Sequence, residues 1–158
     1  MLDFNKLEKY KEDNRIEAKE ALGGLPHSIW ETYSAFANTL GGVILLGVAE
    51  AEDKSLYAVD LPVPEKLITE FLDIINNPEY VSKNILTGDD IVLRRADGKR
   101  VIAIYVPKAD KEDMPIYIGK DIYHGTYIRC GEGDYRCTPE QVKEIIENNK
   151  KDKEDYIW

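Results

Sequence analysis

Three glutamates, Glu12, Glu17 and Glu50, stand where the chain could turn acidic groups into chemistry. Carboxylate oxygens are hard donors that hold Mg²⁺ or Mn²⁺, and an ion so held can activate water and steady the charge of a phosphodiester under attack. Glu17 lies in an alternating run, Arg15 to Glu20 (RIEAKE), with the period of a half-buried strand. Ile16 and Ala18 then face the core, and Glu17 and Lys19 face away. Glu50 comes just past an uninterrupted apolar run, Val43 to Leu46, that reads as a buried strand. Against this stands the composition. With 30 Asp and Glu among 158 residues, such trios arise without any metal. The residues alone leave both readings open.

A second constellation interleaves aromatics with cations: Tyr123, Tyr127, Arg129, Tyr135 and Arg136 near the end of the chain's strand-like part. Tyrosines can stack on bases while guanidinium groups touch phosphates. Tyrosines at alternating strand positions also simply cover a sheet face. The candidate nucleic-acid surface is Lys19, Tyr127, Arg129, Tyr135 and Arg136. A net charge of −9 excludes a protein that is basic in bulk, the usual state of phosphate binders. Cys130 and Cys137 fit neither a CxxC pair nor a zinc pair. His27 and His124 are isolated, and no Ser-His-Asp or Cys-His arrangement is suggested.

These groups need a scaffold, and it is organised around Ser28 to Val48 (SIWETYSAFANTLGGVILLGV). Trp30, Tyr33, Phe36, Ala37 and Leu40 recur at helical spacing, which predicts an amphipathic helix over 28–40. Gly41 and Gly42 end it, and Val43 to Leu46 suits a central strand. Before it, residues 3–13 read as a short helix capped by Asp3. After it, Leu56 to Val59 returns as the second strand of a hairpin. Pro64 opens a helix to about Asn76. Ile91 to Ala96 and Lys99 to Val106 flank Asp97-Gly98, the signal of a type I′ hairpin. Residues 107–114 read as a surface loop. Strand pattern is expected for Pro115 to Ile118 and Ile122 to Cys130. Thr138 to Gln141 is a capping box opening a helix to about Asn148. The expectation is one domain over 1–148 and a charged tail over 149–158, in which Tyr156, Ile157 and Trp158 could dock. No apolar run approaches membrane-spanning length, and the N-terminus lacks a signal-peptide core. A cytoplasmic location is expected, with no membrane partner.

Ser34 to Gly42 (SAFANTLGG), followed by Leu46-Gly47-Val48, closely resembles the signature of the Schlafen AlbA-like domain. Glu12 to Lys19 (EDNRIEAK) resembles its opening Glu-x-x-x-x-Glu-Phe-Lys, with Ala18 in place of phenylalanine. Ile104 to Pro107 with Pro115 to Tyr117, and Tyr127 to Gly131 with Thr138, resemble its later motifs. The resemblance spans residues 3–148. It implies an α+β fold, a mixed and largely antiparallel sheet with flanking helices, and DNA or RNA as the partner of a regulatory module of the transcriptional-regulator type. It also implies an alternative, because some Schlafen members are RNA endonucleases using three acidic residues. Those positions match Glu12, Glu17 and Glu50 here, the third being glutamate where aspartate is usual. No cofactor is otherwise implied, and Mg²⁺ or Mn²⁺ is expected only for a nuclease. Relatives with two copies of the fold form a clamp, which implies a homodimer for a one-copy chain. A protein–protein interaction module without nucleic-acid binding is the third reading, and it suits the negative charge.

Overall fold

The computed structural model describes residues 2–155, with side chains through residue 150. Strands β1 (Ile16–Lys19), β2 (Gly42–Leu46), β6 (Lys99–Val106) and β5 (Ile91–Ala96) form a four-stranded sheet in that order. β1 runs parallel to β2, and the other two pairings are antiparallel. The result is the expected α+β domain. β2 is central because every residue from Val43 to Leu46 is apolar, so it is covered on both faces.

Each face has its own core. Ile44, Leu46, Ile102, Ile104 and Val106 meet helices α1 (Ser28–Asn38) and α2 (Pro64–Ile75) through Tyr33, Phe36, Leu67 and Phe71. Trp30 stacks on Phe71 at 4.9 Å between ring centroids. Each such side chain contributes about 1.5–3 kcal/mol through burial. On the other face, Val43, Leu45, Val101 and Ala103 pack under Leu7 and the hairpin of β3 (Val48–Glu50) and β4 (Leu56–Ala58).

The junction of α1 and β2 depends on two glycines for different reasons. Gly41 has φ +75°, and its amide donates to Phe36 O at 2.7 Å, closing the helix. Gly42 is ordinary β backbone, but a Cβ there would sit 2.8 Å from Arg15 O and 2.9 Å from the Phe36 ring. α1 ends at Asn38, earlier than expected, and Leu40 is exposed rather than buried.

Other boundaries also move. The N-terminal helix is a 3₁₀ segment, Phe4–Lys9, with Asp3 capping Asn5 as expected. Pro115 to Ile118 makes only isolated bridges, Val81 to Ile118 and Tyr117 to Thr126. Ile122 to Cys130 is not one strand. Asp121 caps a single turn, α3 (Ile122–Gly125), and only β7 (Tyr127–Cys130) is extended. β7 pairs with β8 (Gly133–Arg136) in a separate hairpin laid on α1. The capping box at Thr138 and Gln141 is present, and α4 (Pro139–Asp155) runs beyond the expected Asn148. Tyr156, Ile157 and Trp158 lie outside the described residues. No helix among the described residues is long and apolar enough to cross a membrane.

Candidate functional site

The signature of α1 positions the β7–β8 hairpin. Asn38 is buried, and its Nδ2 donates to Ile116 O at 2.8 Å and Tyr127 O at 3.0 Å while Oδ1 accepts from Ile116 N at 2.7 Å. Ser34 Oγ donates to Ile116 O and accepts from Tyr127 N. Thr39 Oγ1 accepts from Arg129 N. These are backbone groups with no strand neighbour, and the α1 side chains stand in for one.

Arg129 is delivered by this arrangement to the outer edge of β1. Its guanidinium has no exposed surface. Nη2 donates to Glu17 Oε2 at 2.9 Å, Asp13 O at 2.7 Å and Ile16 O at 3.1 Å, and Nε also donates to Asp13 O. Nη1 donates to Asp134 Oδ1 at 2.8 Å, and Asp134 Oδ2 accepts from Thr32 Oγ1 at 2.6 Å. The plane lies over the Phe36 ring. The expectation of a free phosphate contact at Arg129 therefore does not fit its place. It is a buried fork that closes the β1 edge and fixes Glu17.

The three expected carboxylates come from three segments. Glu12 precedes β1 and accepts the Ala18 amide at 3.1 Å. Glu17 is on β1 and Glu50 ends β3. Glu12 lies within hydrogen-bonding contact of both Glu50 and Glu17. Burial raises the Glu12 carboxyl above its ordinary value, opposed by hydrogen bonds from Glu50 and the Ala18 amide. The exposed Glu50 carboxyl is raised chiefly by its hydrogen bond to Glu12, and Lys54 partly offsets this. The two carboxyls are thus coupled.

The donor set suits a hard divalent cation, but the three groups are not closed on one point. Taking one oxygen from each does not bring all of them within 4.8 Å of one another. Asp110, Glu112 and Asp113 do meet that test, on an exposed loop where Asp113 binds Lys83 at 2.6 Å. Glu17 Oε2 is occupied by Arg129, while Oε1 lies 3.7 Å from Lys19 Nζ. Lys19 is itself enclosed and donates to Ser28 Oγ at 2.9 Å.

Ser28 opens a groove of about 620 Å³ lined by His27, Trp30, Tyr80, His124, Tyr127 and Arg136, among others. Tyr127 forms its buried floor rather than a free stacking face, and its hydroxyl meets Glu31 and Arg136. Arg136 and Tyr135 are exposed. Tyr123 is half-buried on α3. The expected cations and tyrosines therefore divide among an interior lock at Arg129, an enclosed Lys19, an open Arg136 at the groove rim, and an exposed Tyr135 on the other face of β8. Asp134, Thr32 and Asn38 were missed from sequence. Only Asn38 carried a signal, as a polar residue on the buried side of an amphipathic helix.

The family model for Schlafen, AlbA_2 matches residues 12–138. Among solved structures, the chain is similar to the N-terminal domain of a RecG-related candidate ATP-dependent DNA helicase from Nitrosomonas europaea. The identity is 30% and the TM-score 0.61, covering 87% of this chain and 95% of that one. A protein of Corynebacterium diphtheriae is 18% identical with a TM-score of 0.46, over 78% of this chain and 25% of its own, too slight a likeness to argue from. No curated protein matches.

Proposed function

The chain belongs to the Schlafen, AlbA_2 family, and on that premise we propose that it is a nucleic-acid-binding domain with a regulatory role, working as a homodimer. The observation that carries this reading is the likeness, at 30% identity over most of both chains, to the N-terminal domain of a protein named for a DNA helicase. The groove between Ser28 and Arg136 supports it with a place for a strand: one arginine at the rim, aromatic walls, and an end beside Lys19 and Glu17. Few cations face this groove, so each protomer neutralises few phosphates. Its salt slope is then shallow, about −0.7 per contacted phosphate on single strands. The test is a fluorescence titration of short DNA and RNA oligomers at two salt concentrations, with Arg136→Ala as comparison. Saturable binding weakened by that change supports the proposal. No saturable binding at low salt removes it and leaves the interaction module. Light scattering at micromolar concentration tests the dimer, and an 18 kDa species alone would refute it.

A second reading, a divalent-metal-dependent endoribonuclease, is favoured by the position of Glu12 between Glu17 and Glu50. Glu12, Glu50 and the Oε1 of Glu17 would hold the ion. Bound there, Mg²⁺ or Mn²⁺ would polarise the phosphodiester and activate water. The chain's own part is to fix Glu17 through Arg129 and to bring Glu12 beside Glu50. Calorimetric Mn²⁺ binding that disappears in Glu17→Gln, together with abolished RNA cleavage, supports this reading. Cleavage unchanged in that variant refutes it.

A further inference from the structure

The β5–β6 hairpin is a local inversion of charge. Residues 94–100 carry four cations, Arg94, Arg95, Lys99 and Arg100, against the single carboxylate of Asp97, in a chain of net charge −9. Only Arg100 is neutralised, by a two-pronged pair with Asp60 that holds that carboxyl down at about 2. Arg94 and Arg95 donate only to nearby carbonyls, Leu93 O and Gly98 O. Lys99 Nζ reaches Ala58 O at 3.4 Å. Neither Arg94 nor Lys99 has a carboxylate partner among the described residues, whereas Arg95 stands opposite Arg100 on the other face, near Asp60.

Their placement relates them to the acidic cluster. Strand alternation puts Arg94 on the face of Val92 and Ala96, the face that β3 and β4 cover. Lys99, opposite Ala96, shares that face. Ala58 lies two residues along β4 from Leu56, the partner of Glu50, about 7 Å at strand rise. The exposed mouth at Glu50 therefore has Lys54 beside it and the Lys99–Arg94 pair further along the same layer.

We infer that the β5–β6 hairpin is a phosphate-binding surface, in which Arg94 and Lys99 hold the backbone of a nucleic acid strand leading away from the Glu50 side of the carboxylate cluster. The inference rests on the nucleic-acid reading and adds a surface that the groove does not include. A phosphate backbone fits because these are long, solvated cations with no shaped pocket between them, which position a strand without reading bases. β5 is also an edge strand, and cations there guard it against pairing with another sheet.

The experiment compares wild type with Arg94→Ala/Lys99→Ala by fluorescence anisotropy of a labelled single-stranded 12-mer, from about 50 to 200 mM salt. Circular dichroism melts check folding, which these exposed positions should leave intact. The expected result is weaker binding to every sequence and a salt slope shallower by roughly 1.4, because about two phosphates are no longer neutralised. An unchanged slope and affinity, with wild type binding, overturns this inference alone and leaves the cations as edge protection. Failure of wild type to bind overturns the nucleic-acid reading as well.

Discussion

Arg129 Nη2 and Glu17 Oε2 meet at 2.9 Å, and the arginine side chain has no exposed surface. A guanidinium shut away from water is stable only if its donors are met, and here Asp13 O, Ile16 O, Glu17 and Asp134 meet them. The same contact fixes one oxygen of Glu17 and leaves the other facing Lys19. The fold's closing hairpin and the candidate site are thus one structure.

Removing that fork has a large expected cost. Arg129→Ala leaves Glu17 and Asp134 without their counter-charge, and breaking one side of a buried ion pair costs about 3–5 kcal/mol. Arg129→Lys recovers only part of it, because an ammonium cannot replace the planar fork. Urea denaturation measures both. Destabilisation under about 1 kcal/mol in the alanine variant, the range of an exposed pair, would show that the network is not closed in solution.

Asn38 offers a sharper chemical test. In Asn38→Asp, the new oxygen replaces Nδ2 and faces Ile116 O and Tyr127 O, two acceptors where donors are needed. The expected destabilisation at neutral pH is about 2–4 kcal/mol, from two broken hydrogen bonds and an unpaired buried charge. It should shrink in acid, where the protonated carboxyl donates again. A pH-independent effect would mean that only packing matters there.

The Glu12 and Glu50 pair predicts a pH effect of definite sign. Both carboxyls are raised above 4.5 in the folded protein. The unfolded chain releases these protons first, so stability falls as pH climbs from about 4.5 through the raised values. Glu50→Gln removes the conflict and keeps a donor toward Glu12. Its melting temperature should exceed that of wild type at pH 7 and match it at pH 4. Equal melting curves at pH 7 would refute the coupling of the two carboxyls.

Legibility from sequence followed the range of the forces involved. The α1–β2 unit, the β5–β6 turn and the Thr138 cap were readable because periodicity, glycine and capping act within a few residues. β2 was readable as central because an unbroken apolar run has no polar face to show. Ile122 to Gly125 was not readable as a helical turn. Its apolar content suits a strand, and what decides it is Asp121 capping from one side and the close approach of Ile118 O to Gly125 from the other. Glu12, Glu17 and Glu50 could be named in sequence, but their meeting depends on β3 folding back over β1. Arg129 was misplaced for the same reason. A cation between tyrosines looks exposed until one knows that Asp134, Asp13 and Glu17 surround it.

Amide and side-chain NMR shifts on titrating the ¹⁵N-labelled protein with a short single-stranded oligomer test the central claim most directly, because they report binding and its location together. Saturable shifts are expected at Ser28 and Arg136 and at the indole of Trp30, which line the groove. The amide of Asn38, locked beneath the hairpin, should stay unmoved. A titration that leaves the groove unchanged up to millimolar oligomer would contradict the claim.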